Sequence, residues 1–81
     1  MIFSNWRRLT ENEVRMAKQV FADGINFNRI KIYRGIPLLP NPNIAIAPNG
    51  NIYFPRKHCP DDFTQAGIAY KIWLIHELTH V

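Results

Sequence analysis

An α+β domain is expected from this chain, on the strength of three local patterns. Thr10-Glu11-Asn12-Glu13 opens a run of helical apolar spacing, Asn49-Gly50 sits between two short apolar runs, and helical spacing returns from Phe63 to Val81. The expected order is an N-terminal helix, a three-stranded, mostly antiparallel sheet and a C-terminal helix. Eighty-one residues, 47% of them hydrophobic, allow one small globular domain over residues 1–81 and leave no room for a second.

Each element follows from its residues. Thr10 and Glu13 form a capping box, Val14, Ala17, Val20 and Phe21 continue at helical spacing, and Asp23-Gly24 supplies a left-handed stop, which predicts a helix over about residues 11–23. From Asn28 to Arg34, Ile30 and Ile32 alternate with Arg29, Lys31 and Tyr33, the period of a half-buried strand. Pro37, Pro40 and Pro42 remove amide donors between Gly35 and Asn43 and predict an extended connecting loop. Ile44-Ala45-Ile46-Ala47 and Ile52-Tyr53-Phe54 flank Pro48-Asn49-Gly50-Asn51, whose Asn-Gly pair takes the positive φ angles of a tight hairpin turn. Asp61 or Asp62 would cap the last helix, running from about Asp62 to the C-terminus. Phe63, Gly67, Tyr70, Leu74 and Leu78 mark one apolar stripe on it and Ile68, Ile72 and Ile75 a second, so the helix is expected to be buried on two sides. Neither Gly nor Asn follows His80 to cap its end.

The net charge of +4 comes from Lys and Arg scattered in pairs, without a run of five like charges. That pattern reads as a solvated face and weighs against a nucleic-acid surface. The first eight residues show no apolar signal core, and Lys71 and His76 interrupt the apolar stretches well short of a membrane span. A cytoplasmic location, or export without a standard signal peptide, is expected, with no membrane partner. The single Cys59 cannot form an internal disulfide. His58 and Cys59 read as a surface loop, because neighbours in extended backbone point apart, and Asp61-Asp62 as a helix start rather than a calcium cluster. Trp6, Trp73, Tyr33 and Tyr53 read as packing residues.

His76-Glu77-Leu78-Thr79-His80 is different in kind. Residues four apart on a helix lie one turn above each other, so His76 and His80 can present imidazole nitrogens to one Zn²⁺, and Glu77 lies beside the open coordination position as a general base. The alternative is two core histidines and an incidental carboxylate. That arrangement would bury several polar groups in an otherwise apolar helix at a cost of several kcal/mol, and the metal reading is preferred.

Taken together, Leu9-Thr10-x-Asn12-Glu13, the stretch Asn43 to Phe54 and Ile75-His76-Glu77-Leu78-Thr79-His80-Val81 resemble small bacterial zinc metallopeptidases grouped with the Vgr and Rhs proteins of the type VI secretion system. The likeness runs from about residue 9 to 81. It implies a zincin-like domain that acts on a peptide or protein substrate, with secretion-system proteins as further partners. It also implies an edge strand, here Ile52, Tyr53 and Phe54, that pairs with the extended substrate. A third zinc ligand, Glu, His or Asp, would follow downstream of Val81, so the chain is expected to be truncated after the motif and inactive by itself. A non-catalytic accessory or structural module of a secretion system that keeps the zincin fold is the alternative, and a basic nucleic-acid-binding domain a more distant one.

Overall fold

The computed structural model describes residues 5–37 and 43–81, so the loop prolines Pro40 and Pro42 lie outside the described residues. The first helix, α1 (Glu11–Phe21), opens as expected. The Thr10 hydroxyl accepts from the Glu13 amide at 3.1 Å, and the Glu13 carboxylate accepts from the Thr10 amide at 2.8 Å. The helix ends two residues before the predicted stop, at Ala22, which itself takes a left-handed φ of 51° and donates its amide to Lys18. Ala17 is sealed in the core with Val14, Met16 and Phe21 beside it, while Val20 stays exposed.

Three strands form one sheet in the order β1 (Trp6–Arg7), β2 (Ile32–Arg34), β3 (Ile52–Phe54). β1 runs antiparallel to β2, whereas β2 and β3 are parallel, with Ile32 opposite Ile52 and Arg34 opposite Phe54. The sheet is therefore mixed rather than mostly antiparallel, for a local reason. The Asn49-Gly50 turn does form, with φ of 54° and 79°, and it sets Ile46 opposite Tyr53 through hydrogen bonds of 3.0 and 2.8 Å. Pro48, however, has no amide to donate in the rung next to the turn. The hairpin's first arm is consequently reduced to the single bridge at Ile46, and Trp6–Arg7 supplies the third strand. The strand predicted over 28–34 shortens to β2 because Phe27–Arg29 winds into a 3-10 turn that buries Phe27.

The pleat sorts the side chains. Ile32, Ile52 and Phe54 point to one face and, with Phe27, Ile30, Ala17, Phe63, Leu74 and Leu78, make the core. Each such side chain contributes about 1.5–3 kcal/mol of burial. Phe54 packs 4.4 Å from the Phe63 ring and meets the Trp73 ring edge-on at 5.1 Å. The opposite face carries Trp6, Tyr33 and Tyr53 in register, with Tyr33 and Tyr53 stacked at 4.3 Å.

The second helix, α2 (Ile68–Leu78), starts later than predicted. Asp62 caps the 3-10 turn Phe63–Gln65 instead, accepting from the Thr64 amide at 2.9 Å and its hydroxyl at 2.6 Å, and Gly67 at φ 106° then breaks the path before α2 begins. Only one side of α2 lies on the sheet. Leu74 and Leu78 are buried there and Ile75 packs partly buried against the core, but Ile68 and Ile72 are 70% and 62% exposed, so most of the expected second buried stripe faces outward. No described helix is long and apolar enough to cross a membrane.

Candidate metal centre

The four-residue spacing on the last turn of α2 brings the two motif histidines together. The His76 and His80 rings lie 5.0 Å apart between centroids, with their planes at 75°. The His76 side chain is 65% exposed and His80 is exposed too. Among the described residues the one histidine with a side-chain hydrogen bond is His58, so both motif imidazoles keep their nitrogens free. The helix end is held by tightened bonds rather than by a glycine cap: the Thr79 amide reaches the Ile75 and His76 carbonyls at 3.2 Å, the His80 amide reaches Glu77 at 3.0 Å, and the Thr79 hydroxyl donates to Ile75 at 3.0 Å.

Glu77, about 100° round the helix from His76, turns inward beside Leu74 and Leu78. It is 6% exposed, and its Oε2 lies 4.0 Å from His76 Nε2. Among the described residues no protein donor makes a hydrogen bond to its carboxylate. The only other buried carboxylate described, Glu13, is fully exploited: Oε1 accepts from Arg7 Nη1 and the Thr10 amide, both at 2.8 Å, and Oε2 accepts from Arg7 Nη2 at 2.9 Å and the Phe63 amide at 2.8 Å. A desolvated carboxylate without donors costs stability. The fold removes that cost at Glu13, whereas the Glu77 oxygens, which are not among the fully buried atoms that lack a partner, keep some contact with solvent and stay available to take a proton or to face a cation.

Two unpartnered, solvent-facing imidazoles one turn apart are a donor set suited to zinc. They make two ligands. Among the described residues no three His, Cys, Asp or Glu side chains gather in a metal-binding arrangement, so a third donor does not come from them. His58 is held elsewhere, with Nδ1 2.9 Å from the Tyr70 hydroxyl and its ring 6.1 Å from Trp73. Together with half-buried Cys59 it packs against the body of the domain rather than forming a free surface loop. Burial pushes the Cys59 thiol above its ordinary pKa despite the pull of Arg7 and Arg34, which disfavours the thiolate a metal needs.

The strand expected to pair with substrate is already engaged. Ile52 and Phe54 point into the core, and their backbones bond to β2 and its flanks through the Lys31 carbonyl and the Gly35 amide, at 2.9 and 2.7 Å. The outward-facing amide and carbonyl of Tyr53 are both taken by Ile46. Ile52, Tyr53 and Phe54 therefore offer no open rung at that bridge, and the nearest unpaired edge among the described residues is the far side of the arm at residues 44–47. Two features were not foreseen from the residues: the Arg7 partner of Glu13, and the convergence of Arg8, Arg29 and Lys31 around one groove. The first joins a strand to a helix across a change of element six residues long, and the second joins segments far apart in sequence, relations that local periodicity does not report.

No protein-family model matches the chain. Over 78 residues, 93% of its length, it is 33% identical to the type VI secretion system spike protein VgrG2b of Pseudomonas aeruginosa, and it spans only 8% of that protein. Its fold is similar to the solved effector domain of Pseudomonas aeruginosa VgrG2b, with a TM-score of 0.81 and 31% identity over 91% of the chain, and it covers 42% of the solved chain. The chain is thus homologous to part of that effector domain and spans less than half of it.

Proposed function

We propose that this homologue of the VgrG2b effector domain carries the motif-bearing part of a zinc-dependent peptidase linked to type VI secretion. The observation that carries the reading is the combination at the end of α2: two free imidazoles 5.0 Å apart beside a carboxylate that is buried without a donor. His76 and His80, as neutral imidazoles, would hold the ion. Zinc bound there supplies Lewis acidity toward a peptide carbonyl and makes water easier to deprotonate. Glu77 takes the proton from the attacking water as the new C–O bond forms. It then gives that proton to the amide nitrogen as the C–N bond breaks, so the carboxylate ends as it began.

Two histidines hold zinc weakly, and the full ligand set is proposed to include a residue outside 1–81. Residues 1–81 by themselves are then weak zinc binders without hydrolytic activity. A second reading, a non-catalytic module that keeps the fold, draws on the lack of a third ligand among the described residues. Zinc analysis and peptidase assays on the full-length protein separate the two. The peptidase reading expects hydrolysis that disappears in Glu77→Gln while zinc is retained, and hydrolysis unchanged by that substitution would refute it.

A further inference from the structure

On the side of the domain where the turn at Asn49-Gly50 meets the end of α2 lies an open groove of about 640 Å³. Arg8, Arg29, Lys31, Asn28, Asn49 and Val81 are among the residues that line it, and none of its lining residues is acidic. Among the described residues, the Arg and Lys side chains in ion pairs are Arg7 and Arg34, so none of the three groove cations has a carboxylate partner there. The Lys31 ammonium and the Arg8 guanidinium sit over the Trp6 ring, 4.6 and 5.0 Å from its centroid, which holds both charged groups on the same side of the domain.

We propose that this groove is a binding site for an acidic segment of a polypeptide, so that the substrates of the peptidase are selected in part by Asp- and Glu-rich stretches away from the bond that is cut. As a statement about substrate class it rests on the peptidase reading. Two features favour a polypeptide over another polyanion. Asparagine side chains both donate and accept, as peptide groups do, and several of them line the groove between the cations. Single-stranded nucleic acid needs open aromatic faces for its bases. Here Tyr33 and Tyr53 stack on each other, and Trp6 is occupied by two cations.

Binding is measurable without turnover. The full-length protein carrying Glu77→Gln is titrated by fluorescence anisotropy with a short labelled peptide of alternating Glu and Gly, with its Gln-Gly counterpart, and with an oligothymidylate of equal charge. The expected result is that the acidic peptide binds at least about tenfold more tightly than the neutral one and weakens as salt is raised, and that Arg8→Glu with Arg29→Glu lowers its affinity about tenfold or more. Both substituted residues are exposed, and circular dichroism checks that the fold survives. If the double variant does not fold, the salt titration of the parent decides. Equal affinity for the neutral peptide, salt-independent binding, no effect of charge reversal in a folded variant, or tighter binding of the oligothymidylate would each overturn the proposal. Because hydrolysis is assayed separately on the protein with Glu77 intact, loss of the groove proposal and loss of the peptidase reading are distinct results.

Discussion

The Arg7 guanidinium grips the Glu13 carboxylate through two parallel hydrogen bonds of 2.8 and 2.9 Å, and this pair joins three elements that otherwise share little surface. Arg7 belongs to β1, Glu13 to the first turn of α1, and the Phe63 amide that also donates to Glu13 begins the approach to α2. Arg7 adds a bond to the Pro60 carbonyl at 2.9 Å. Burial alone would lower the Arg7 pKa, but the hydrogen bond and charge of Glu13 outweigh it and hold the guanidinium above its ordinary value. The pair thereby fixes where the motif helix starts relative to the sheet.

Removing one partner of such a pair leaves the other desolvated and alone. Glu13→Ala is expected to cost about 3–5 kcal/mol, which at about 4–8 °C per kcal/mol for a domain of this size lowers the melting temperature by more than about 12 °C. Arg7→Met combined with Glu13→Leu should recover part of the loss, because no buried charge is then unpaired. Urea unfolding of the two variants and the parent checks both statements, and an unchanged midpoint for Glu13→Ala would contradict the buried network.

The two apolar stripes of α2 differ in energy as they differ in exposure. Leu74→Ala should cost about 2–5 kcal/mol through the cavity it leaves, whereas Ile72→Ala, at a site 62% exposed, should stay within about 0.5 kcal/mol. Comparable losses at the two sites would mean that the outward stripe is covered in solution.

These cases mark the boundary of what was legible in the residues. The Thr10–Glu13 cap, the Asn49-Gly50 turn, and the facing of His76 and His80 depend on contacts within a few residues, and each is found where it was expected. The pairing of Trp6–Arg7 with β2 and the parallel run of β2 and β3 depend on which distant segments meet, and two- or three-residue strands carry too little alternation to announce it. Periodicity likewise marked both stripes of α2 as apolar without saying which one would find a partner. At the site, Glu77 was legible as a motif member, but its burial without donors was not.

Low pH should act on the turn that leads into α2. Burial would raise the Asp62 carboxyl, but the Thr64 hydroxyl and amide, with help from Asn12 and Thr10, outweigh it and hold it below its ordinary 3.8. A folded value below the unfolded one means that the cap's contribution is complete above the unfolded value and is lost as pH falls through the folded one. Acid titrations of stability should therefore show a shallower decline below about pH 4 in Asp62→Asn than in the parent, and identical limbs would exclude Asp62 as a contributor.

Zinc binding should depend on the pair and not on the third histidine. His76→Ala and His80→Ala are each expected to lower bound zinc, by a factor on the order of 10 or more in the full-length protein. His58→Ala should leave it unchanged, since that ring is committed to Tyr70. Equal retention by all three variants, measured by metal analysis after dialysis, would place the ion elsewhere.

The sharpest contrast is between the two buried carboxylates. Glu13 meets four donors and Glu77 none among the described residues, so the same substitution should affect stability far more at Glu13 than at Glu77. Glu13→Gln removes the charge that holds Arg7 and destabilises the fold. Glu77→Gln removes a charge that no described donor holds, and its stability in the absence of metal should match that of the parent to within about 1 kcal/mol. Under the peptidase reading the same Glu77→Gln protein loses hydrolysis while keeping zinc, because the amide that replaces the carboxylate cannot accept a proton from water. A variant that is about as stable, still binds metal and is inactive identifies a group kept for chemistry. A variant clearly less stable than the parent would instead make Glu77 part of the scaffold and remove the strongest structural reason for assigning it a proton-transfer role.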